Sequence, residues 1–451
     1  MSDDVIVVGN GLGGCLAALT LKESHPDATV RVLWTQPDRF ESHSGLIDVL
    51  GYFPTKQPAT DTAHAIQPET PVENPFAVLD ELPEEHPYQQ CEVETIRNAL
   101  SVFDDAISGY RGSHNDENAL TVVGNGRVTP TARYPTELQP GLASTDEPLL
   151  LVGFEELPSF DTELAATRLN ERLPYDVEGT TVEWPASVQT SPTGFEMARK
   201  LDENEQIRAR LVDTLEAALD VESRIGLPAM LGVENHDRIR THLQDELYAR
   251  PFEIPVGTPS VSGRRLHSRL LDALEAAGVV VERDCVITGI QRDDSTIEGL
   301  SVTDRNEEPT NGHHTESETS VESERHYEAR AFVLATGGFD AGGLRAERSG
   351  VVEPLFDCHV SVSSDGVSVP DERIAWTNGR FFSPQPFSTF GLRVDETVRP
   401  RSREGAVKYD NLWAVGGLLG GFDPVLEQSG DGVAIVSGYR AAQSIDAVLE
   451  L

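Results

Sequence analysis

Cysteine is scarce in this sequence. Among 451 residues there are four cysteines, far apart from one another, at Cys15, Cys91, Cys285 and Cys358. Because no two of them form a CxxC pair, their spacing excludes the usual motifs for an iron–sulfur cluster or a zinc knuckle. The sequence therefore predicts reduced, mostly packed thiols and no metal site.

Long apolar runs are missing as well. The longest candidate, 412–422, is rich in glycine and is shorter than the roughly 20 residues that a helix needs to cross a bilayer. The N-terminus lacks the charged and apolar segments of an export signal. We expect a cytoplasmic protein without a membrane span of its own, which would reach a membrane only through a partner.

Basic residues are few, and lysine is almost absent. The chain has 75 acidic residues against 36 basic ones, only four of them lysine, and its net charge is −39. Such a surface repels nucleic acid and anionic lipid headgroups, so neither is an expected partner. Because the acidic residues are spread over the whole chain, they favour adaptation to molar salt over an acidic patch for one basic partner.

The N-terminal segment has the pattern of a βαβ unit. A β-branched run at 5–8 is followed by a glycine-rich turn, a helical pattern at 16–21 and a second strand at 29–34. The segment 262–277 predicts a helix with Ser262 as N-cap and Gly278 as C-cap, followed by a buried-type strand at 279–281. A central strand is predicted at 331–335. The segment 54–83 predicts an exposed connection, and 306–324 a disordered or halophilic surface loop.

The turn after the first strand carries a dinucleotide-binding motif. Gly9, Gly11 and Gly14 follow a strand and open a helix, so backbone N–H groups and the positive end of the helix can hold a phosphate. The alternative is an ordinary tight turn. The motif alone does not distinguish NAD, FAD and FMN.

The end of the second predicted strand argues for FMN. Dinucleotide folds place an acid there, about 20 residues after the glycines, to bind the adenosine ribose. This chain has Trp34 and Thr35 at that position. Asp38 or Glu41 in the next loop are possible substitutes. FMN has no adenosine and is therefore favoured, with FAD left open.

Two further glycine-rich segments are candidates for the same cofactor. The strand that ends at Thr336, Gly337 and Gly338 resembles the ATGG motif of flavoproteins with two dinucleotide-binding domains. The C-terminal run predicts a strand, a glycine loop and a helix that begins near Gly432 and points at the flavin. Turn formation is the structural alternative for both. The predicted contacts in this run are Gly420, Gly421, Asp423 and Gly432.

These motifs predict an α/β protein with a Rossmann-type FAD/NAD(P)-binding fold of the two-dinucleotide-binding-domain kind, and an inserted α+β substrate or cap domain. The nucleotide-binding domain would comprise 1–75, 259–345 and 401–451. The inserted cap, substrate or partner domain would comprise 76–258, with a return of the cap at 346–400.

The sequence also resembles one family over nearly its whole length: the B subunit of the anaerobic glycerol-3-phosphate dehydrogenase. The resemblance rests on the glycine turn, on Ser44 and Gly45 within the run SGLIDVL, on IGLPA at 225–229, on ATGG at 335–338 and on GGFDP at 420–424. It implies that Ser44 and Gly45 also contact the flavin, and that the chain carries FMN. It further implies a FAD-containing catalytic subunit and an iron–sulfur subunit that docks the pair to the inner face of the cell membrane. Such a complex oxidises sn-glycerol 3-phosphate to dihydroxyacetone phosphate and passes electrons to the quinone pool.

No catalytic constellation follows from the spacing, so the catalytic residues stay unassigned. Phosphate-binding candidates are Arg264, Arg265, Arg348 and Arg393, and candidate bases are His43 and His359. Each is as well explained by a structural role. Two hypotheses follow: an electron-transfer flavoprotein subunit, or a chain that oxidises glycerol 3-phosphate by itself. A scaffold without flavin is a third interpretation, and a fumarate-reductase-like or ketosteroid-dehydrogenase-like enzyme a more remote one.

Overall fold

Two parallel β-sheets organise the chain. The computed structural model of the protein describes residues 2–35, 40–54, 70–187, 192–220, 223–305, 324–364, 367–368, 376–379 and 384–449. Asp38 and nearly all of the predicted surface loop at 306–324 lie outside these residues.

Helices and strands alternate through much of the described chain. The α-helices are α1 (Leu12–Ser24), α2 (Val93–Ala106), α3 (Thr162–Asn170), α4 (Gly194–Glu203), α5 (Glu205–Ala218), α6 (His236–Leu247), α7 (Val261–Ala276) and α8 (Gly430–Leu449). The strands are β1 (Asp3–Val8), β2 (Val30–Leu33), β3 (Tyr110–Arg111), β4 (Ala119–Val123), β5 (Arg127–Thr131), β6 (Tyr134–Pro135), β7 (Leu149–Phe154), β8 (Val177–Val182), β9 (Arg224–Pro228), β10 (Arg250–Ile254), β11 (Val280–Glu282), β12 (Cys285–Asp293), β13 (Thr296–Asp304), β14 (Arg325–Leu334), β15 (Arg345–Glu347), β16 (Gly350–Val352), β17 (Val360–Ser361), β18 (Ser363–Ser364), β19 (Val367–Ser368), β20 (Gly391–Leu392) and β21 (Leu412–Ala414).

The first sheet, which we call the nucleotide sheet, has the order β11-β2-β1-β14-β21, and all of these neighbours are parallel. β12 and β13 extend it as an antiparallel meander beside the first half of β14. In β1 the residues from Val5 to Val8 are fully buried, as expected for a parallel strand covered on both faces. Val8 lies in register with Leu33 and Leu334, so three strands end together at one edge.

The second sheet, the insert sheet, lies within the predicted insertion. Its order is β8-β7-β9-β10, with every pair parallel, and α3 to α6 connect or flank its strands. Antiparallel pairs β3–β6 and β4–β5 precede it in the chain. The insertion thus has mixed α and β content, but the sequence did not reveal that its largest sheet is parallel.

Several local predictions need correction. The N-cap of α7 is Ser260, whose Oγ accepts the N–H of Gly263, and Ser262 lies inside the helix. The strand at 279–281 was predicted to be buried, but β11 is an edge strand with an exposed Val280. The connection at 54–83 was predicted to be exposed, yet within its described part Leu79 and Leu82 are buried in the core.

The cysteines are free, as predicted, and Cys15, Cys285 and Cys358 are buried. The domain boundaries given above stay a prediction.

Candidate functional site

The carboxyl edge of the nucleotide sheet brings together the first and second glycine motifs. Gly9 follows β1 with a φ of +116°, and a Cβ there would lie 2.2 Å from the carbonyl oxygen of Ala335. Only glycine allows this turn to pass so close to the end of β14. Gly14 lets α1 pack on the sheet, because a Cβ there would lie 2.8 Å from the Cβ of Ala335.

The N-terminus of α1 has neither a capping side chain nor an acidic residue in its first turn. Gly11 is the N-cap of this helix. Gly11 is exposed, and a Cβ there would make only ordinary contact, 3.6 Å from the Ala335 oxygen. The N–H groups at a helix start attract an anion when no side chain satisfies them. The geometry fits a phosphate group.

Two threonine hydroxyls on this edge lack partners. Thr336 is 7% exposed and Thr35 is half-buried, and neither Oγ1 has a hydrogen-bond partner among the described residues. Buried hydroxyls in proteins are nearly always paired, so an orphaned pair at strand ends fits a bound polar ligand. A phosphate with an attached sugar alcohol, as in a flavin nucleotide, supplies such groups.

The ends of β14 and β21 also meet here. Gly337 has a φ of +74°, and a Cβ at Gly338 would lie 2.9 Å from the carbonyl oxygen of Gly417. Gly416 and Gly417 belong to the C-terminal glycine run but were not among the predicted contacts. Their position directly after a predicted strand could have identified them as site residues from the sequence.

Aromatic and imidazole rings lie beside the end of β2. The backbone N–H of Trp34 donates to the Glu282 carbonyl at 2.8 Å, and the imidazole of His267 lies 5.0 Å from the Trp34 ring, between centroids. Phe40 stacks on His267 with ring centroids 5.2 Å apart. Glu41, a possible ribose-binding acid, is exposed and lies 3.9 Å from Arg264. The residues that directly follow β2 are Trp34 and Thr35, and Asp38 lies outside the described residues.

The loop with Ser44 and Gly45 lies between two helices. Gly45 has a φ of +83°, and a Cβ there would lie 2.7 Å from the Cβ of Ser262 in α7. Ser44 is exposed, and its Oγ accepts the N–H of Leu46 at 3.2 Å. Gly432, at the start of α8, donates its N–H to the carbonyl of Asp48 at 2.8 Å. The loop thus covers part of the N-terminus of α8.

Three of the predicted cofactor contacts, which stay predictions, have close contacts within the chain. A Cβ at Gly420 would lie 2.8 Å from the nitrogen of Gly391, and one at Gly421 would lie 2.2 Å from the carbonyl oxygen of Glu85. The Asp423 carboxylate accepts two backbone N–H groups of its own turn, at 3.1 and 3.0 Å. The sequence pattern could not distinguish packing from cofactor binding at Gly420 and Gly421. The residues that these two glycines contact, Gly391 and Glu85, are distant in the chain.

The candidate arginines are bound to carboxylates or exposed. Arg265 is buried in α7 between Glu137, at 3.1 Å, and Glu253. Its Nε also donates to the carbonyl of Gly232 at 3.0 Å. Burial alone would raise the pKa of Glu137, but Arg265 and Arg269 hold that pKa below its ordinary value. Arg265 is consequently not available to a substrate phosphate.

The remaining candidates are scattered. Arg393 pairs with Glu85, and Arg348 lies exposed between β15 and β16. His359 borders a separate cavity, and burial together with Arg403 lowers its pKa. His43 lies at the start of α8, where its Nε2 is 3.0 Å from Asp431.

Comparison with known proteins agrees with this geometry. The FAD binding domain family matches residues 4–433 of the chain. The probable B subunit of the anaerobic glycerol-3-phosphate dehydrogenase of Halobacterium salinarum is 36% identical over 98% of this chain and 97% of that protein. This chain belongs to the family of anaerobic glycerol-3-phosphate dehydrogenase B subunits.

More distant relatives extend the comparison. The B subunit of the anaerobic glycerol-3-phosphate dehydrogenase of Yersinia enterocolitica is 27% identical, and the alignment covers 100% of both chains. A solved structure of 3-ketosteroid Δ1-dehydrogenase from Sterolibacterium denitrificans is 12% identical, covers 99% of this chain and 100% of that one, and has a TM-score of 0.43. The family model and the B-subunit relatives confirm the predicted family and flavoprotein fold class, and the chain is a member of a flavin-binding oxidoreductase family.

Two features are absent from the described residues. None of the helices there has both the length and the apolarity needed to span a membrane. The same residues contain no group of three or more His, Cys, Asp or Glu side chains that could hold a metal ion.

Proposed function

We propose that this chain is the FMN-binding electron-transfer subunit of an anaerobic glycerol-3-phosphate dehydrogenase complex. The observation that carries the proposal is the carboxyl edge of the nucleotide sheet, where an uncapped helix start lies beside orphaned hydroxyls. Gly11 and the first turn of α1 would hold the phosphate, and Thr336 and Gly338 would face the rest of the cofactor. A bound flavin supplies reversible acceptance of two electrons.

The end of β2 supports FMN over FAD. An adenosine ribose would need a carboxylate at this position. The chain has Thr35 there, next to Trp34, whose ring lies close to that of His267, and Phe40 stacks on His267. A flavin that ends at its phosphate needs none of this space.

The charges around the site support electron transfer over substrate oxidation by this chain. A glycerol 3-phosphate dianion would need an arginine or lysine with free donors. Arg265 is instead saturated by Glu137, Glu253 and a backbone carbonyl. We propose that the alcohol is oxidised on a FAD-containing partner subunit and that electrons leave through an iron–sulfur subunit toward quinone at the inner face of the cell membrane.

Acid release of the cofactor from protein purified in molar salt, followed by mass determination, tests the flavin assignment. The proposal predicts FMN, and recovery of FAD would contradict the argument from Thr35. A colourless protein would favour the interpretation of the chain as a scaffold without flavin.

Anaerobic titration of the single chain with glycerol 3-phosphate tests where the chemistry occurs. The flavin should stay oxidised without its partner and should bleach with dithionite, which shows that it is reducible. Bleaching by glycerol 3-phosphate alone would support the self-sufficient dehydrogenase instead.

A further inference from the structure

A cavity of about 530 Å³ lies beside α8. Its lining comes from one face of α8, from β20 and the residues after it, and from the short helix Pro87–Gln90. Of the predicted cofactor contacts, all of which the structure describes, only Gly420 lines it. Gly11, Thr336 and Gly338, which carry the proposed flavin site, do not. The volume is in the range of pockets that bind small molecules. We call this space the α8 cavity.

The inner wall of the α8 cavity is apolar. Leu392, Leu419, Val433 and Val436 line it, and each of them is at most 4% exposed. Apolar side chains that face a cavity instead of other atoms lose van der Waals contacts. A ligand with an apolar part would supply these contacts, so the wall favours such a ligand over a bare ion.

Arg440, on the same face of α8, brings a buried positive charge to the cavity. It is 8% exposed, and its Nη2 donates to the carbonyl of Glu396 at 2.6 Å. This is the one hydrogen bond from its five N–H groups to the described residues, and it forms no ion pair with them. The nearby Asp395 pairs with Arg399 instead, at 3.2 Å. Burial lowers the pKa of Arg440, because the acidic groups nearby offset only part of its effect.

The other buried arginines in the described part of the chain have more partners. Arg133 and Arg265 bind carboxylates. Arg208 and Arg224 each donate to at least two backbone carbonyls. Burying a charge is costly unless it is paired and hydrogen-bonded. In a chain with 75 acidic residues against 36 basic ones, a buried guanidinium with a single carbonyl therefore points to an anion from outside the chain.

The other polar groups of the lining differ in their partners. The Oε1 atom of Gln90 is buried without a hydrogen-bond partner among the described residues, and a carboxamide can offer its oxygen or its NH₂ group to a ligand. Arg401 is exposed and pairs with no carboxylate of the described residues. Of the two acids in the lining, Glu85 pairs with Arg393, and Glu84 is exposed. The lining thus offers donors to an anion both in its buried part and at its exposed rim.

We propose that the α8 cavity binds a small organic anion, a carboxylate or a phosphate monoester with an apolar body. Arg440 would bind the oxyanion by charge-assisted hydrogen bonds, for which a guanidinium has the matching planar geometry. Gln90 would donate a further hydrogen bond, and the apolar body would pack against Leu392 and Val436. Chloride would leave this wall uncovered. The inference does not depend on the flavin assignment, because the residues that carry that assignment do not line the cavity.

Isothermal titration calorimetry of the full chain in molar salt tests the class of ligand. Phenyl phosphate and benzoate each combine an oxyanion with an apolar ring. At least one of them should bind wild type, and the tighter one identifies the anionic group. Inorganic phosphate lacks the ring and phenol lacks the charge, so both should bind at least about tenfold more weakly. sn-Glycerol 3-phosphate should bind no more tightly than inorganic phosphate, because its organic part is polar.

Variants of the lining test the location of the site. Arg440→Gln should weaken binding about 10- to 100-fold, because it removes a hydrogen bond between charged groups. Gln90→Glu should weaken binding as well, because it sets a like charge beside the anion. Gln443→Glu is the matched control, since it adds the same charge to an exposed position of α8 outside the lining, and it should bind as wild type does. Arg401→Gln should have a smaller effect, and Arg403→Gln, outside the lining, should have none.

Equal affinity for the tighter probe in wild type, Arg440→Gln and Gln90→Glu would overturn the inference, as would a wild type that binds neither probe. Inorganic phosphate that binds as tightly as the ring-bearing probes would contradict the role of the apolar wall. If Arg440→Gln does not fold, Gln90→Glu compared with Gln443→Glu still decides. Flavin content is measured in the same samples. A wild type without flavin would contradict the proposed function and leave this inference intact.

Discussion

The two parallel sheets of this protein treat their carboxyl edges in opposite ways. At the nucleotide sheet, the start of α1 has no capping side chain, and the hydroxyls of Thr35 and Thr336 have no partner among the described residues. At the insert sheet, the N–H groups of Met230 and Leu231, which follow β9, donate to Glu253 at 2.8 and 2.6 Å. The nucleotide sheet therefore has unpaired hydrogen-bonding groups at its carboxyl edge, whereas the N–H donors of the insert sheet are paired with a carboxylate of the chain.

The comparison shows why topology alone does not identify a binding site. The insert sheet has the order β8-β7-β9-β10, which reverses direction between β7 and β9, as nucleotide-binding sheets do at their ligand sites. Its loop after β9 is nevertheless closed by Glu253 and by Asp202, which accepts three consecutive N–H groups at 2.7 to 3.1 Å. The backbone N–H donors at a sheet's edge decide whether it binds an anion, because only donors without a partner in the chain are available to a ligand.

Breaking the buried ion network should have the largest effect on stability. Arg265→Met leaves Glu253 buried without its cation and leaves Glu137 with the more distant Arg269, at 3.5 Å, which should cost about 3–5 kcal/mol in the free energy of unfolding. The network joins α7 to the insert sheet and does not touch the glycine turn. Urea unfolding in molar salt measures the effect, with the more exposed neighbour Arg264→Met as control. Equal losses for both variants would contradict the network's role.

Removing the Asp202 carboxylate beside the insert sheet should have a smaller effect on the free energy of unfolding. Asp202→Ala deprives three backbone N–H groups of their acceptor, so unfolding should become easier by about 1–3 kcal/mol. The adjacent Glu203 forms only an exposed ion pair with Arg199, and Glu203→Ala should cost less than about 1 kcal/mol. Flavin content should be unchanged in both proteins. Loss of flavin in Asp202→Ala would show that the two edges are not independent.

A pH effect on stability should distinguish Asp48 from ordinary aspartates. Burial and Asp431 raise the pKa of Asp48 to about 8, so between pH 4 and 8 the folded chain binds a proton that the unfolded chain has lost. Stability contributed by this group therefore falls as pH rises through that window. Asp48→Asn should exceed wild type by about 1–3 kcal/mol at pH 8 and equal it at pH 4. A difference independent of pH would contradict the raised pKa.

Local features of the fold were predictable from sequence, and contacts distant in the chain were not. The β1–α1–β2 unit depends on residues within one supersecondary unit, so the spacing of its glycines identified it. The close contacts of Gly9 and Gly14 with Ala335 are distant in the chain and were not predictable. Whether Ser260 or Ser262 caps α7 depends on the backbone conformation within a single turn, which the sequence does not give. Both serines fit the same pattern.

The rest of the site required the folded chain. Gly421 stays a predicted cofactor contact, and a Cβ there would lie 2.2 Å from the carbonyl oxygen of Glu85, which is far away in sequence. The His43 ring and the backbone N–H of Asp48 contact the carboxylate of Asp431, which lies near the other end of the chain. The SGLIDVL run pointed to this segment, but no spacing rule connects it with the start of a C-terminal helix.

The most direct test of the central claim is the flavin content of Gly11→Asp. Aspartate is a good N-cap and a Cβ at Gly11 meets no close contact, so the variant should fold as stably as wild type. Its carboxylate would occupy the helix start where the phosphate is proposed to bind. Gly257→Asp adds the same charge at a site with no atom within 4 Å of the new Cβ. The account predicts that wild type and Gly257→Asp purify with bound flavin and that folded Gly11→Asp does not. Full flavin occupancy in Gly11→Asp would contradict it.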